Sequence, residues 1–386
     1  MSSLSHKKEG IDPEKGNVNI KLEFIEIYIL EGKLLRKKVL YGFFCWLLIG
    51  LLLTPALPAA EYEELSLTQA LAMGVEANFA IKRAKLTWEN ARLNYEKNKA
   101  VQPLSGSRSS ELQLELNLLQ AEERYRQTKG QALLAIVRQY LEVLKTEQER
   151  AWRRKQLEWE EMTLRLLEQQ VAQGYETRLA LIRQENKYHN ARQELKTLED
   201  KYDQLARELA VAIGWPAETS VLRLKPVNTV LTWELSEDDC LDLARANSLS
   251  LRSVMLEVDL ARLALDRAQI GTALPVELQE LENNLALANL RREEAQWELD
   301  NSVRQQYRAL TQQAENLALN EIHLATVREN FAKVQQQLKA GLLKEVDRLA
   351  AEAELLQAEF QMLTAVTNYR IKKWEFQQLL GLDLEV

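Results

Sequence analysis

Proline placement constrains this chain more than any other feature. Between Ser110 and Ala172 there is no proline and one glycine, Gly130, and between Val276 and Ala340 there is neither. Proline removes a backbone donor and clashes with the preceding helical turn, so its absence over such lengths leaves a helix uninterrupted. At 1.5 Å per residue, some 63 to 65 helical residues reach about 95 Å. No compact single core requires helices so long. The predicted fold class is therefore all-α, built of long antiparallel coiled-coil hairpins. The 13 Gly and 7 Pro of 386 residues fall far below the roughly 12% of an average globular chain, which argues against a loop-rich α/β enzyme.

The amino terminus reads differently. Lys33, Arg36, Lys37 and Lys38 precede an uncharged stretch from Val39 to Ala60, which ends in Thr54-Pro55 and small residues. A basic flank, an apolar run and small residues are the grammar of a secretory signal. The 22 uncharged residues would also serve as an uncleaved anchor, since a bilayer helix needs about 20, although Pro55 and Pro58 shorten the usable part. Cys45 lacks the context of a lipoprotein signal. Residues 1–32 are a long preface to a signal, and translation is expected to start nearer Leu34. Without residues 1–60 the chain has 42 basic and 51 acidic residues, a net charge of −9.

The four later prolines, Pro103, Pro216, Pro226 and Pro275, divide the chain into a short and a long proline-free run, twice over. This alternation points to an internal duplication. At an offset of 170, Leu65-Ser66 meets Leu235-Ser236, Leu71 meets Leu241, and Ala91-Arg92-Leu93 meets Ala261-Arg262-Leu263. Beyond the short links the offset is 167, pairing Tyr140 with Tyr307, Gly174 with Gly341, Tyr202 with Tyr369 and Gly214 with Gly381. Ser66 with Gln69, and Ser236 with Asp239, have the spacing of a capping box, so the first helix of each copy is predicted to begin at Leu67 and Glu237.

Glycine accepts the left-handed conformation that reverses a chain at a helix end, so each long helix is predicted to fold back at Gly174 and Gly341. In the second copy Leu317, Leu324, Phe331 and Leu338 recur every seven residues, a coiled-coil seam. The return helix carries two apolar stripes. One is Val346, Leu349, Ala353, Leu356, Phe360 and Leu363; the other is Leu355, Ala358, Met362, Ala365 and Tyr369. Two stripes imply two neighbours. The first copy has one stripe, Tyr188 through Ala191, Leu195, Leu198, Tyr202 and Leu205 to Leu209, while its other face reads Asn186, His189, Gln193 and Lys196. That second seam is expected to be wet or absent.

Composition and motifs exclude several chemistries. Cys45 and Cys240 cannot make a disulfide framework or a zinc site with His6, His189 and His323, which lie elsewhere, so neither a metal nor a catalytic constellation is expected. No glycine loop could cradle a phosphate, and no cofactor is implied. The negative charge argues against a nucleic-acid partner. Abundant carboxylates are expected to be surface charges matched to Lys or Arg at helical spacing. Trp152, Trp159, Trp215, Trp233 and Trp374 read as seam or rim packing.

Over about residues 62–384 the chain resembles the TolC-like outer-membrane efflux proteins. The resemblance is carried by Leu65-Ser66-Leu67-Thr68-Gln69-Ala70-Leu71 with Asn78, by the Gly341 to Val346-Asp347 turn, and by Tyr369 with Leu379-Leu380-Gly381, besides the duplication. It implies a homotrimer that encloses a hollow α-helical barrel, a periplasmic adaptor protein meeting the hairpin tips at Gly174, Gly341 and Asp347, and an inner-membrane pump. Asp347 matches the family's acidic position after the turn, whereas the first copy has Ala180. Family members carry two spanning β-strands between the short and long helices of each copy. Here the links are Val101 to Ser109 and Ile270 to Pro275, too short for strands that each need about 9–11 residues. The expected molecule is a TolC-like α-barrel subunit lacking its β-barrel, with an N-terminal extension and signal or anchor over 1–60, a helical repeat over 61–216, a linker over 217–233 and a second repeat over 234–386. The implied role is a duct component of an efflux or secretion system in the envelope, on the periplasmic side or at the outer membrane. Membrane association would come through the N-terminal apolar segment or the assembly. The alternative is a non-channel coiled-coil spacer or interaction protein of the envelope. Enzymatic function is not expected.

Overall fold

The computed structural model describes residues 64–105, 107–215, 223–227 and 232–382. The predicted signal or anchor, the preface before it and most of the predicted linker lie outside the described residues. Every described helix lies within Glu63–Val386. Among the described residues there are eight helices: α1 Leu67–Ala77, α2 Phe79–Ser105, α3 Arg108–Ala172, α4 Arg178–Ile213, α5 Glu237–Asn247, α6 Leu249–Ile270, α7 Pro275–Lys339 and α8 Glu345–Leu379.

The duplication is structural. Helices α3 and α7 are each 65 residues long and their starts, Arg108 and Pro275, stand at the offset expected from the sequence. Both predicted first-helix starts are found, with complete capping boxes. The Ser66 hydroxyl accepts from the Gln69 N–H at 3.2 Å while the Gln69 side-chain Oε1 accepts from the Ser66 N–H at 2.9 Å. Ser236 and Asp239 repeat the arrangement. Each short helix is nevertheless interrupted after eleven residues, at Asn78 and at the matching Ser248. Asn78 Oδ1 accepts from the Ala80 and Ile81 N–H groups, and Ser248 Oγ from Leu251, so the side chain that ends one helix starts the next.

The helices form a single layer. On the hairpin side the order across it is α4, α3, α8, α7, and toward the other end it is α2, α3, α6, α7, so the two longest helices are common to both halves. Helix α8 lies between α3 and α7 and uses both predicted stripes. Leu355, Ala358 and Met362 pack on Leu324 and Val327 of α7, while the Phe360 ring stacks on Trp152 of α3 at 5.7 Å. The heptad seam of the second copy is thus the inside of its own hairpin. Helix α4 has α3 as its long neighbour; Ala191, Leu198 and Leu209 are buried, and Asn186, His189, Gln193 and Lys196 are exposed.

Two cores lie where the short helices meet the long ones. Leu67, Ala70, Leu71, Ile136, Val137, Tyr140, Leu209 and Ile213 make the first; Cys240, Leu241, Ala244, Val303, Leu310, Tyr369 and Phe376 make the second. The first is tied to an isolated parallel bridge between Leu65 and Leu224. The fully buried Tyr140 hydroxyl sits 2.7 Å from the Leu65 carbonyl and 2.8 Å from the Lys225 carbonyl, where its proton bridges the two segments. Burial pushes this phenol up to about 12.

Candidate functional site at the hairpin ends

The two hairpin turns share one backbone design. Gly174 and Gly341 adopt φ of 78° and 74°, in the left-handed region that disfavours a Cβ. In the first turn the Gly174 N–H donates to Val171 and the Tyr175 N–H to Gln170; in the second, Gly341 donates to Leu338 and Leu342 to Gln337. These bonds satisfy carbonyls that a helix end would leave without a donor. Gly214 and Gly381 close α4 and α8 with the same pattern. Nothing lies within 4 Å of a Cβ placed on Gly174 or Gly341, so backbone conformation alone selects glycine there.

The return helices begin differently. Thr177 Oγ1 accepts from the Ala180 N–H at 3.2 Å, a forward cap. In the second turn Asp347 Oδ2 accepts from the Lys344 N–H at 2.9 Å, a backward cap. Thr177 matches Lys344 in the duplication, and Ala180 matches Asp347. Each turn therefore holds one half of a capping box. Sequence reasoning singled out Asp347 for its charge; the structure shows a local role for the carboxylate, on an exposed side chain.

Both turns lie at one end of the layer, because α3 and α8 run antiparallel. Lys155 pairs with Glu352 at 3.6 Å, and Arg138 pairs with Glu375 further from the turns. Gly174, Gly341 and Asp347 are thus brought to the same end. Around them Tyr175 is 78% and Leu342 74% exposed, and Leu179 and Ile182 are exposed as well. Sequence reasoning missed these apolar tips. Their signal was available, since large apolar residues directly beside a reversing glycine have no helix face to bury against. Farther along, the groove between α3 and α4 encloses about 400 Å³ and is lined by Glu149, Arg153, Asn190, Gln193, Glu194 and Lys201. Arg153 and Glu194 pair across it at 3.0 Å. Among the described residues no group of three His, Cys, Asp or Glu side chains could hold a metal ion.

Both edges of the layer are open. Phe79, Leu86 and Leu93 are exposed at seven-residue intervals along α2, and Leu287, Leu290, Trp297, Leu319 and Ile322 are exposed on α7. Described residues include no helix long and apolar enough to cross a membrane, and no strand beyond the isolated bridge.

Compared by sequence, the chain matches no family model and no curated protein. Compared by structure, it is similar to the outer membrane protein VceC of Vibrio cholerae at 15% identity and a TM-score of 0.55, over 83% of this chain and 97% of that one. The Campylobacter jejuni CmeC outer membrane channel matches at 10% identity and a TM-score of 0.54, over 82% and 85%. The Neisseria gonorrhoeae MtrE outer membrane channel, in its open state, matches at 15% identity and 0.54, over 82% and 89%. Likeness at such identity establishes architecture: the described residues are all-α and share the helical architecture of TolC-like outer membrane channels, without a spanning strand among them.

Proposed function

We propose that this chain is one subunit of a helical duct in the cell envelope, serving efflux or secretion. The observation that carries the reading is the open layer: apolar residues line α2 at one edge and α7 at the other, and no described residue covers them. Such an arrangement is completed when α7 of one copy meets α2 and α4 of the next. Rotation repeated three times closes a homotrimer around a lumen. The polar outer face of α4 supports a water-lined or polar contact there. The hairpin ends, with Gly174 and Gly341 reversing the chain and Asp347 capping α8, carry the apolar Tyr175 and Leu342 toward a periplasmic adaptor protein, which would link the duct to an inner-membrane pump. The proposed repeat boundaries are 61–216 and 234–386, around a linker at 217–233, with membrane association through the apolar stretch at 39–60 or through the assembly.

Sedimentation of the full chain in detergent tests this. A stable elongated trimer that yields an ion-conducting or solute-permeable lumen is the expected result. A monomer or dimer at high concentration would overturn the duct. One observation favours a second reading, a coiled-coil spacer without transport: the α2–α3 and α6–α7 connections contain no spanning strand pair among the described residues. An assembly without a lumen would select it.

A further inference from the structure

The duplication relates one contact inside the chain to the two open edges. Within the chain α6 packs on α3 in antiparallel register: Leu112, Leu116 and Leu119 meet Leu256, Leu260 and Leu263, and Arg252 pairs with Glu115 at 3.4 Å. Carried through the offsets of 170 and 167, the α6 stripe becomes Phe79, Lys82, Leu86, Asn90 and Leu93 of α2, and the α3 stripe becomes Gln279, Glu282, Asn283 and Ala286 of α7. Every one of these counterparts is exposed. They lie on the sides of α2 and α7 turned away from the rest of the chain. On the opposite face of α2, Trp88 stacks on Tyr125 of α3 at 5.4 Å, and on the opposite face of α7, Ala288 is buried.

The two exposed stripes complement each other. The Arg252–Glu115 pair becomes Lys82 and Glu282, opposite charges at matching positions, and neither forms an ion pair among the described residues; Lys82 lies over the Phe79 ring at 5.6 Å. Leu249 stands at the level of Leu119, and their counterparts are Phe79 and Ala286, so bulk lost on α7 is gained on α2. The wider charge agrees. Helix α2 carries six basic and two acidic residues, a net +4, and residues 275–300 of α7 carry two basic and seven acidic, a net −5. Contacts nearer the hairpins have no such counterparts. Lys155–Glu352 becomes Ile322 and Glu185, Arg138–Glu375 becomes Gln305 and Glu208, and Trp152 on Phe360 becomes Leu319 and Gln193.

We propose that α2 of one copy packs on the beginning of α7 of the next in the register of the α3–α6 contact, with Lys82 paired to Glu282 and Phe79 seated over Ala286. The inference rests on the reading of the chain as a subunit of a closed assembly, and it adds the register and the pair that sets it. This seam is fixed at the end away from the hairpin turns, because the hairpin half keeps no duplicate of an in-chain ion pair. The contact is heterologous, joining two different surfaces, so each copy keeps one edge free until a ring closes.

Charge reversal tests the pair in the full chain, by sedimentation in detergent at low salt. Lys82 and Glu282 lie on opposite edges of one copy with α3 and α6 between them, so rescue can pass only between copies. Lys82→Glu or Glu282→Lys alone should weaken self-association about tenfold, and the double variant should return to within about threefold of the original. A benzophenone amino acid in place of Leu86 reports the register. On irradiation its adducts should fall near Gln279 of another copy, told from the same chain by mixing isotope-labelled and unlabelled protein. No self-association, single variants that associate like the original, a double variant no better than the singles, or adducts on α2 of another copy, on lipid or on a different protein would overturn the proposal. The two readings fail separately. A trimer with a lumen that ignores the reversals defeats the pairing and leaves the duct, whereas association rescued by the double variant in an assembly without a lumen defeats the duct and leaves the pairing.

Discussion

The two copies solve one packing problem in opposite ways. In the first, Gly74 of α1 faces Ile136 of α3; in the second, the matching positions hold Ala244 and Val303, both buried in one cluster. One methyl group has moved across the interface. A Cβ on Gly74 would stand 2.1 Å from Ile136 Cδ1 and 3.3 Å from its Cγ1. Ile136 is 3% exposed, so its Cδ1 has no open space to swing into. Gly74→Ala therefore overpacks the core, at about 1–3 kcal/mol, against a gain of about 1 kcal/mol in helix propensity, a net loss of about 1 kcal/mol. Ile136→Val alone leaves a small cavity and costs about 1 kcal/mol. Together the two changes recreate the second copy's pair, and Ile136→Val deletes the very atom that clashes. The double variant should match the original or exceed it slightly, a coupling of about 2 kcal/mol relative to additivity. Hydrogen exchange of the α1 amides in the full chain measures this, since about 2 kcal/mol corresponds to roughly 30-fold in rate. Should the double variant exchange at the rate that the two single effects sum to, within about threefold, the methyl-exchange argument is wrong.

Other contacts give further expectations. Tyr140→Phe removes the proton shared by the Leu65 and Lys225 carbonyls and should cost about 1 kcal/mol at neutral pH. Because the folded phenol is pushed up to about 12, stability is unaffected below pH 10 and falls by about 3 kcal/mol as pH rises from about 10 to 12, and alkaline titration followed by circular dichroism should show the variant shedding part of that loss. Inside the first hairpin the buried Gln184 amide donates to Glu160 Oε2 at 2.5 Å, where the second copy has Val327 and Ala351. Gln184→Ala alone should cost about 2 kcal/mol by leaving a buried carboxylate without its donor, whereas Glu160→Val with Gln184→Ala should be near neutral in urea unfolding. Leu324→Asp places a carboxylate between Ala358 and Met362, inside the α7–α8 hairpin. The expected loss is above about 4 kcal/mol, seen first as faster exchange in α7 and α8 of the monomer; dissociation of an assembly with an intact hairpin would contradict that placement.

Much of this fold was legible because helices so long leave large periodic signals. The proline-free runs, the reversing glycines and the Ser66 and Ser236 capping boxes are local features, decided by backbone conformation within a few residues. The interruptions at Asn78 and Ser248 were not read, although both residues are good helix starters. Neither a glycine nor a proline marks them, and the apolar pattern continues across. At the hairpin ends the glycines were legible and the exposed Tyr175 and Leu342 were not, because a periodicity argument assigns apolar residues to a buried face by default.

By itself the sequence determined that the chain is helical, duplicated and reversed at Gly174 and Gly341, because each of these follows from spacing and from which backbone angles a residue tolerates. Only the tertiary structure decided which stripe meets which helix. A heptad seam at Leu324 is equally compatible with another subunit or with the same hairpin, since burial rewards contact without naming the partner. Packing of α8 on both α7 and α3 settles that choice within one chain and leaves α2, α4 and α7 as the open edges. Tertiary structure also turned Asp347 from a charge into a cap and set Gly74 against Ile136, because such roles depend on distances of a few ångströms between residues that sequence order does not bring together.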